Sequence, residues 1–205
     1  MAVASRNPDV QNAAQEGMPA VSGDVTKIRS VEAAFQSVRE KLGIPSVVVY
    51  NGEIPIRFPT SDVVAYIQLY GLAAALTSPS DPSNPFTISP YAFENDTAVN
   101  LCGAYTALRE SVQGFKDLGN EIPKVFIATG NVLPFKPTAL GITLGAGKAA
   151  LTHLLDVATK AYCGDNFRYV HSSQTRRENC HVLMVESSTL HPRLPTMVDP
   201  FHIPK

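Results

Sequence analysis

The segment Ser46-Val47-Val48-Val49-Tyr50 constrains the fold of this chain most. An uncharged run dominated by β-branched residues is the pattern of a strand buried on both faces, which is characteristic of parallel sheets. A helix-periodic segment precedes it. Val31, Ala34, Phe35, Val38 and Leu42 recur at helical spacing, Ser30 is the expected N-cap, and Gly43 stands where a C′ residue belongs. Two short strands come earlier: Ala2 to Pro8, apolar and ending in a polar turn, and Ala20 to Val25. A helix-compatible stretch over residues 9–17 separates them. The first fifty residues therefore read strand, helix, strand, helix, strand.

The second half repeats this alternation. Leu101, Ala104, Tyr105, Leu108, Val112 and Phe115 form one stripe of a long helix expected over 100–118. Val125 to Thr129 reads as another buried strand. A second long helix is expected from about Leu144 to Tyr162, with Leu151, Leu154, Leu155 and Ala158 inward, and Phe167 to His171 as the next strand. Strands alternating with long helices imply an α/β fold with a parallel sheet.

Two stretches depart from this alternation. Residues 52–71 follow a strand without clean periodicity, and Asp62 to Tyr70 suits either one short helix or one edge strand. Beyond Ser172 the chain turns polar, Val182 to Val185 suits one more strand, and the prolines from Pro192 onward exclude a helix there. The expected organisation is one domain over 1–171, with 52–71 as an atypical insertion, and an irregular tail over 172–205.

Bulk properties narrow the function. A formal charge of −1 gives no basic excess for nucleic acid or an anionic membrane. No apolar run reaches the length of a membrane span, and the N-terminus lacks a basic-then-apolar leader, so a cytoplasmic location is expected. Cys102, Cys163 and Cys180 are scattered and suggest no disulfide framework. The five histidines show no metal-ligand spacing, and Cys180-His181 are adjacent, so no metal site is expected. No Gly-x-Ser-x-Gly elbow occurs. Gly141-x-x-x-Gly145-x-Gly147 loosely imitates a dinucleotide-binding turn, but Lys136 to Leu140 precedes it instead of a buried strand. Close packing of the helix on its neighbour explains these small residues better.

The order of the pieces resembles the short-chain dehydrogenase/reductases, particularly fungal members that carry a Gly-Lys helix in place of the usual tyrosine helix. The resemblance covers residues 2–51 and 72–171. It implies a Rossmann-like, doubly wound parallel sheet, N-terminally truncated, and a nicotinamide cofactor, usually NADP. It places Arg6 at the adenosine 2′-phosphate, Asp24 at the adenine amine, and Asn51 beside the ribose. It makes Asn100, in Asn100-Leu101-Cys102-Gly103, the residue that completes a proton relay at the start of a long interface helix. Arg109 falls where a basic side chain reaches the cofactor. Lys148 falls at the lysine that holds the ribose hydroxyls. The family helices at 100–118 and 144–162 pair with those of a second subunit, so a homodimer is expected.

Three departures from the family pattern stand out. The glycine-rich turn that would receive the pyrophosphate is absent, because the chain begins at the family's second strand; the central strand should be lost with it. Leu144 occupies the position of the tyrosine in Tyr-x-x-x-Lys, four residues before Lys148. Ala128-Thr129-Gly130-Asn131 replaces the expected serine, leaving Asn131 or Thr129 to polarise a carbonyl; neither is a good acid at neutral pH. The leading expectation is an NADP-linked oxidoreductase by descent, acting on a carbonyl or alcohol of a small organic molecule, with NADP binding weak or lost. The alternative is a non-catalytic pseudoenzyme or scaffold. A cofactor-free isomerase or dehydratase is a third class, which no motif specifically favours.

Overall fold

The computed structural model describes residues 1–51, 66–70 and 75–172, with the backbone alone described for 51, 66–70, 171 and 172. Among the described residues, six parallel strands form one sheet. They are β1 (Ala2–Ser5), β2 (Ala20–Ser22), β3 (Val47–Asn51), β4 (Tyr66–Tyr70), β5 (Lys124–Thr129) and β6 (Phe167–Ser172). Their order across the sheet is β2-β1-β4-β3-β5-β6. The long helices are α2 (Ile28–Leu42), α4 (Ala104–Lys116) and α5 (Ile142–Ala161); α1 (Val10–Gln15) and α3 (Pro90–Thr97) are short.

The direction of each crossover decides which face its helix covers. Right-handed connections that step opposite ways along a sheet place their helices on opposite faces. The step from β1 to β2 runs one way, and those through α2, α4 and α5 run the other. Accordingly, Phe35 of α2, Phe115 of α4 and Leu151 of α5 share one core with Ala2, Ala4, Val48, Tyr50, Phe126 and Ala128. Val49 points to the opposite face and is also fully buried, as the uninterrupted apolar run requires. Val48 pairs with Phe126 across β3 and β5.

The structure corrects the reading of residues 52–71 and of the central strand. Residues 66–70 form neither a helix nor an edge strand. β4 is internal, paired with β1 through Val3↔Gln68 and with β3 through Val49↔Gln68. In the usual doubly wound order 3-2-1-4-5-6, β2, β1, β3, β5 and β6 take the places of strands 3, 2, 4, 5 and 6. β4 takes the place of strand 1. The central slot is thus filled by a strand that comes later in the chain.

Three local expectations also change. Helix α2 begins at Ile28 with Lys27 as N-cap, so Ser30 lies inside its first turn, and the Ser30 hydroxyl instead accepts the Asp24 N–H at 2.9 Å. Gly43, with φ of 86°, ends α2 as expected. The helix expected from Asn100 starts earlier: α3 is capped by Ser89, whose hydroxyl accepts the Ala92 N–H, and a π-turn over 98–103 joins it to α4. Within α4, Tyr105 is half exposed rather than inward. Strand β6 runs one residue beyond the expected domain limit, to Ser172; the expected tail after it lies outside the described residues.

Candidate functional site

In an open parallel sheet, ligands bind beyond the carboxyl ends of the strands, where the chain leaves in opposite directions. Here that point lies above β1, β4 and β3. Arg6 follows β1 directly, Asp24 lies just past β2, Asn51 closes β3 and Thr129 closes β5. Four of the expected residues therefore reach this rim by strand register alone.

Lys148 arrives from α5. It lies in the second turn, where its side chain is buried and its Nζ donates to the Thr129 carbonyl oxygen at 2.7 Å. Burial disfavours the charged amine and pushes its pKa down to about 8. Close packing brings the lysine in. A Cβ on Gly147 would lie 2.5 Å from the Asn100 Cβ, so the small residue lets α5 sit against the π-turn. Leu144, one turn before Lys148, is half-buried.

Asn100 is fully buried and bonded twice to the backbone of Ala75. Its Nδ2 donates to the Ala75 oxygen at 2.7 Å, and its Oδ1 accepts the Ala75 N–H at 2.8 Å. Its side-chain amide thereby holds the segment after β4. Asp96 and Thr143 extend this clamp: Asp96 Oδ2 accepts the Thr77 N–H at 2.6 Å, and the Thr143 hydroxyl lies 3.2 Å from the same nitrogen. The sequence gives no spacing signal for either residue, because the partners come from three separate segments.

The remaining candidates are placed as follows. Asn131 Oδ1 accepts the Leu133 N–H at 3.0 Å, which turns the chain as it leaves β5. The Thr129 hydroxyl sits 3.5 Å from the Tyr50 oxygen. Asp24 accepts from Thr26 N–H and Oγ1 and meets Lys27 at 3.4 Å; the Thr26 hydroxyl above all keeps its carboxyl below the ordinary range. Arg6 is exposed, and its backbone oxygen faces the Ser22 hydroxyl. The side chain of Asn51 lies outside the described residues. Arg109 is not brought to this rim. Its Nη1 meets Glu32 at 3.1 Å and Glu110 at 3.4 Å, tying α4 to α2.

A shallow apolar cleft of about 420 Å³ lies between Pro85, the Leu133-Pro134 loop and the α5 residues Ile142, Gly145 and Ala149. Its Leu133 wall follows Asn131 on the loop that leaves β5. Among the described residues, no cluster of three or more His, Cys, Asp or Glu side chains could hold a metal ion.

Known proteins supply the family. No family model matches the chain. A curated relative, the short chain dehydrogenase/reductase dmxR12 of Cryptosporiopsis sp., is 32% identical over 154 residues, covering 75% of this chain and 58% of its own length. The chain belongs to the short-chain dehydrogenase/reductase family. Solved structures agree on the fold. A short chain dehydrogenase from Mycobacterium smegmatis superposes with a TM-score of 0.62 at 17% identity, covering 85% of this chain and 66% of that one. A 3-ketoacyl-(acyl-carrier-protein) reductase from Brucella melitensis, solved with NADH, also gives 0.62 at 17% identity, covering 84% and 64%. An alcohol dehydrogenase from Thermococcus sibiricus, complexed with 5-hydroxy-NADP, gives 0.61 at 17% identity, covering 83% and 63%. The chain thus spans less than two thirds of the length of these proteins. None of its described helices is long and apolar enough to cross a membrane.

Proposed function

We propose that this chain is an NADP-linked oxidoreductase domain acting on a carbonyl or alcohol of a small organic molecule. The placement of Lys148 carries the reading: a buried amine delivered to the carboxyl end of β5, 2.7 Å from the Thr129 oxygen. The donor set suits the two ends of a dinucleotide. Arg6 would meet an adenosine phosphate, Asp24 the adenine amine and Asn51 a ribose hydroxyl. Lys148 would donate to the other ribose. The pyrophosphate lacks its glycine-rich turn, so binding is weak. When bound, the reduced nicotinamide supplies hydride.

The protein's own part is positioning. Asn131 or Thr129 polarises the carbonyl, and Asn100 holds the segment at 75 against α5 so that the rim keeps its shape. A pseudoenzyme is the competing reading, and Leu144 is the observation that favours it, since a leucine cannot donate a proton. Reduction of a panel of small ketones and aldehydes at millimolar NADPH separates the two. Turnover abolished by Lys148→Met supports the oxidoreductase; no turnover on any carbonyl favours the pseudoenzyme.

A homodimer and a cytoplasmic location belong to the same proposal. The half-exposed Tyr105 on α4 and Val157 on α5 support the dimer, since both are large apolar side chains on the two long helices. Sedimentation showing a monomer over a wide concentration range would count against it.

A further inference from the structure

We propose that the cleft between the loop leaving β5 and helix α5 binds the ring system of an uncharged, planar aromatic compound. Binding rests on the cleft alone; that the compound is a ketone substrate rests on the oxidoreductase reading above.

Size limits the occupant first. A dry cavity of roughly 150 Å³ takes a benzene ring. The cleft's 420 Å³ leaves room for a fused ring system and lies within the usual span of small-molecule sites. Chemistry limits it next. Among the described residues that line the cleft, none is charged and Thr138 has the only polar side chain. Pro85, Pro134 and Pro137 form much of the wall, and a proline carries no backbone N–H. A carboxylate or phosphate placed there would lose its hydration without gaining a cation or a row of donors. A neutral ring leaves water favourably.

Shape then selects a ring over a chain. Gly145, Ala146 and Ala149 recur at helical spacing and give α5 a floor with no side chain beyond Cβ. Leu133 stands against that floor, since a Cβ on Gly145 would lie 3.4 Å from the Leu133 Cβ. A planar ring contacts a flat face over its whole area, which a flexible chain does only by losing its freedom. The surround is apolar as well. Phe86, Phe135 and Leu140 are 85%, 48% and 50% exposed, and each adjoins a lining residue in the chain. Large apolar side chains left in water around a cleft mark a place where something binds. A second subunit is the other candidate, yet the residues that support the dimer lie elsewhere: Tyr105 on α4, and Val157 toward the far end of α5.

The position suits a substrate. Asn131, proposed above to polarise a carbonyl, accepts the N–H of Leu133 with its Oδ1 at 3.0 Å. A ring held in the cleft therefore lies beside the loop that carries that residue, and the substrate class is aryl ketones.

The test needs no cofactor. The full chain, with 13C-labelled alanine methyls, is titrated with acetonaphthone, with the naphthoate anion and with a straight-chain decanone. Ala146 and Ala149 are assigned by the signals lost in Ala146→Glu and Ala149→Leu. Both are exposed positions on the helix, so the fold should tolerate either change. Acetonaphthone should shift both methyls through its ring current, with a dissociation constant of about 0.1 mM. The methyls of buried Ala34 and Ala107 should stay in place. Naphthoate and decanone should bind at least about tenfold more weakly, and so should acetonaphthone to either variant, read from the alanine that remains. No shift at Ala146 and Ala149 overturns the proposal, as does unchanged affinity in both variants. Equal affinity for naphthoate overturns the neutral ligand, and equal affinity for decanone overturns the ring. Affinity that falls as protein concentration rises gives the cleft to a second subunit and overturns the proposal too. Acetonaphthone bound in the cleft but not reduced at millimolar NADPH supports the ligand class while counting against the oxidoreductase reading.

Discussion

Asn100 and Ala75 close a ring of two hydrogen bonds, side-chain amide to backbone amide, at 2.7 and 2.8 Å. One side chain thereby satisfies both backbone polar groups of Ala75. Asn100→Ala orphans both and should cost about 2–4 kcal/mol. Asn100→Asp keeps the acceptor but sets a buried carboxyl oxygen against the Ala75 carbonyl, so it should cost at least as much. Urea unfolding of the two variants checks the order.

Gly103 tests how tightly the π-turn is packed. A Cβ there would meet the Val25 carbonyl oxygen and the Tyr50 hydroxyl, the latter at 2.7 Å. Neither is the free end of a flexible chain. Gly103→Ala should destabilise by about 1–3 kcal/mol through overpacking. Gly164→Ala, where nothing lies within 4 Å, should be nearly silent in the same melt.

Stability should depend on pH in a direction fixed by Lys148. Its folded pKa of about 8 lies below the ordinary 10.5, so between those values the unfolded chain binds more protons. Stability then rises with pH across that window, by up to about 1.4 kcal/mol per unit, and the burial cost is fully present below pH 8. Tyr50 and Tyr169 act oppositely. Their folded pKa values are raised above the ordinary 10.0, so their contribution is lost as pH climbs past 10. Wild type compared with Lys148→Met by chemical denaturation should show the rise from pH 8 to 10 only in wild type.

NADPH should bind weakly, with a dissociation constant above roughly 100 µM. A helix N-terminus and backbone donors at the pyrophosphate are worth several kcal/mol, at about 1.4 kcal/mol per tenfold. Fluorescence titration reporting low-micromolar binding would contradict this. It would direct attention to Gly145 through Lys148 as a substitute anion site.

Much of the fold was legible because periodicity reports burial. Val47 to Tyr50 and Val125 to Thr129 sit in the sheet's interior and look alike in sequence for that reason. Tyr66 to Tyr70 was not legible as a central strand. Its alternating polar and apolar residues suit an edge, and the pairing with β1 joins residues over sixty positions apart, which no local pattern encodes. The Asn100 start was legible as a residue but not as a role, since its partner is a backbone group at Ala75. At the rim, Arg6, Asp24, Asn51 and Lys148 were legible only through the family resemblance, and strand ends and helix register are what bring them there. Arg109 is not brought there, because it is tied to Glu32 on α2, which lies nowhere near it in sequence.

The position of β4 also bears on the order in which the chain can assemble during synthesis. The unit β1-α1-β2 emerges before its link to the rest of the sheet, which runs through a strand ending at Tyr70. Until that residue has left the ribosome, β1 has an open edge along which β4 must later pair. Closing so long a loop is entropically costly and slows folding. Unpaired parallel edges invite pairing with other chains. Nascent chains arrested before residue 70 should therefore be the most aggregation-prone lengths, and chaperone demand should fall once β4 and β3 are both available.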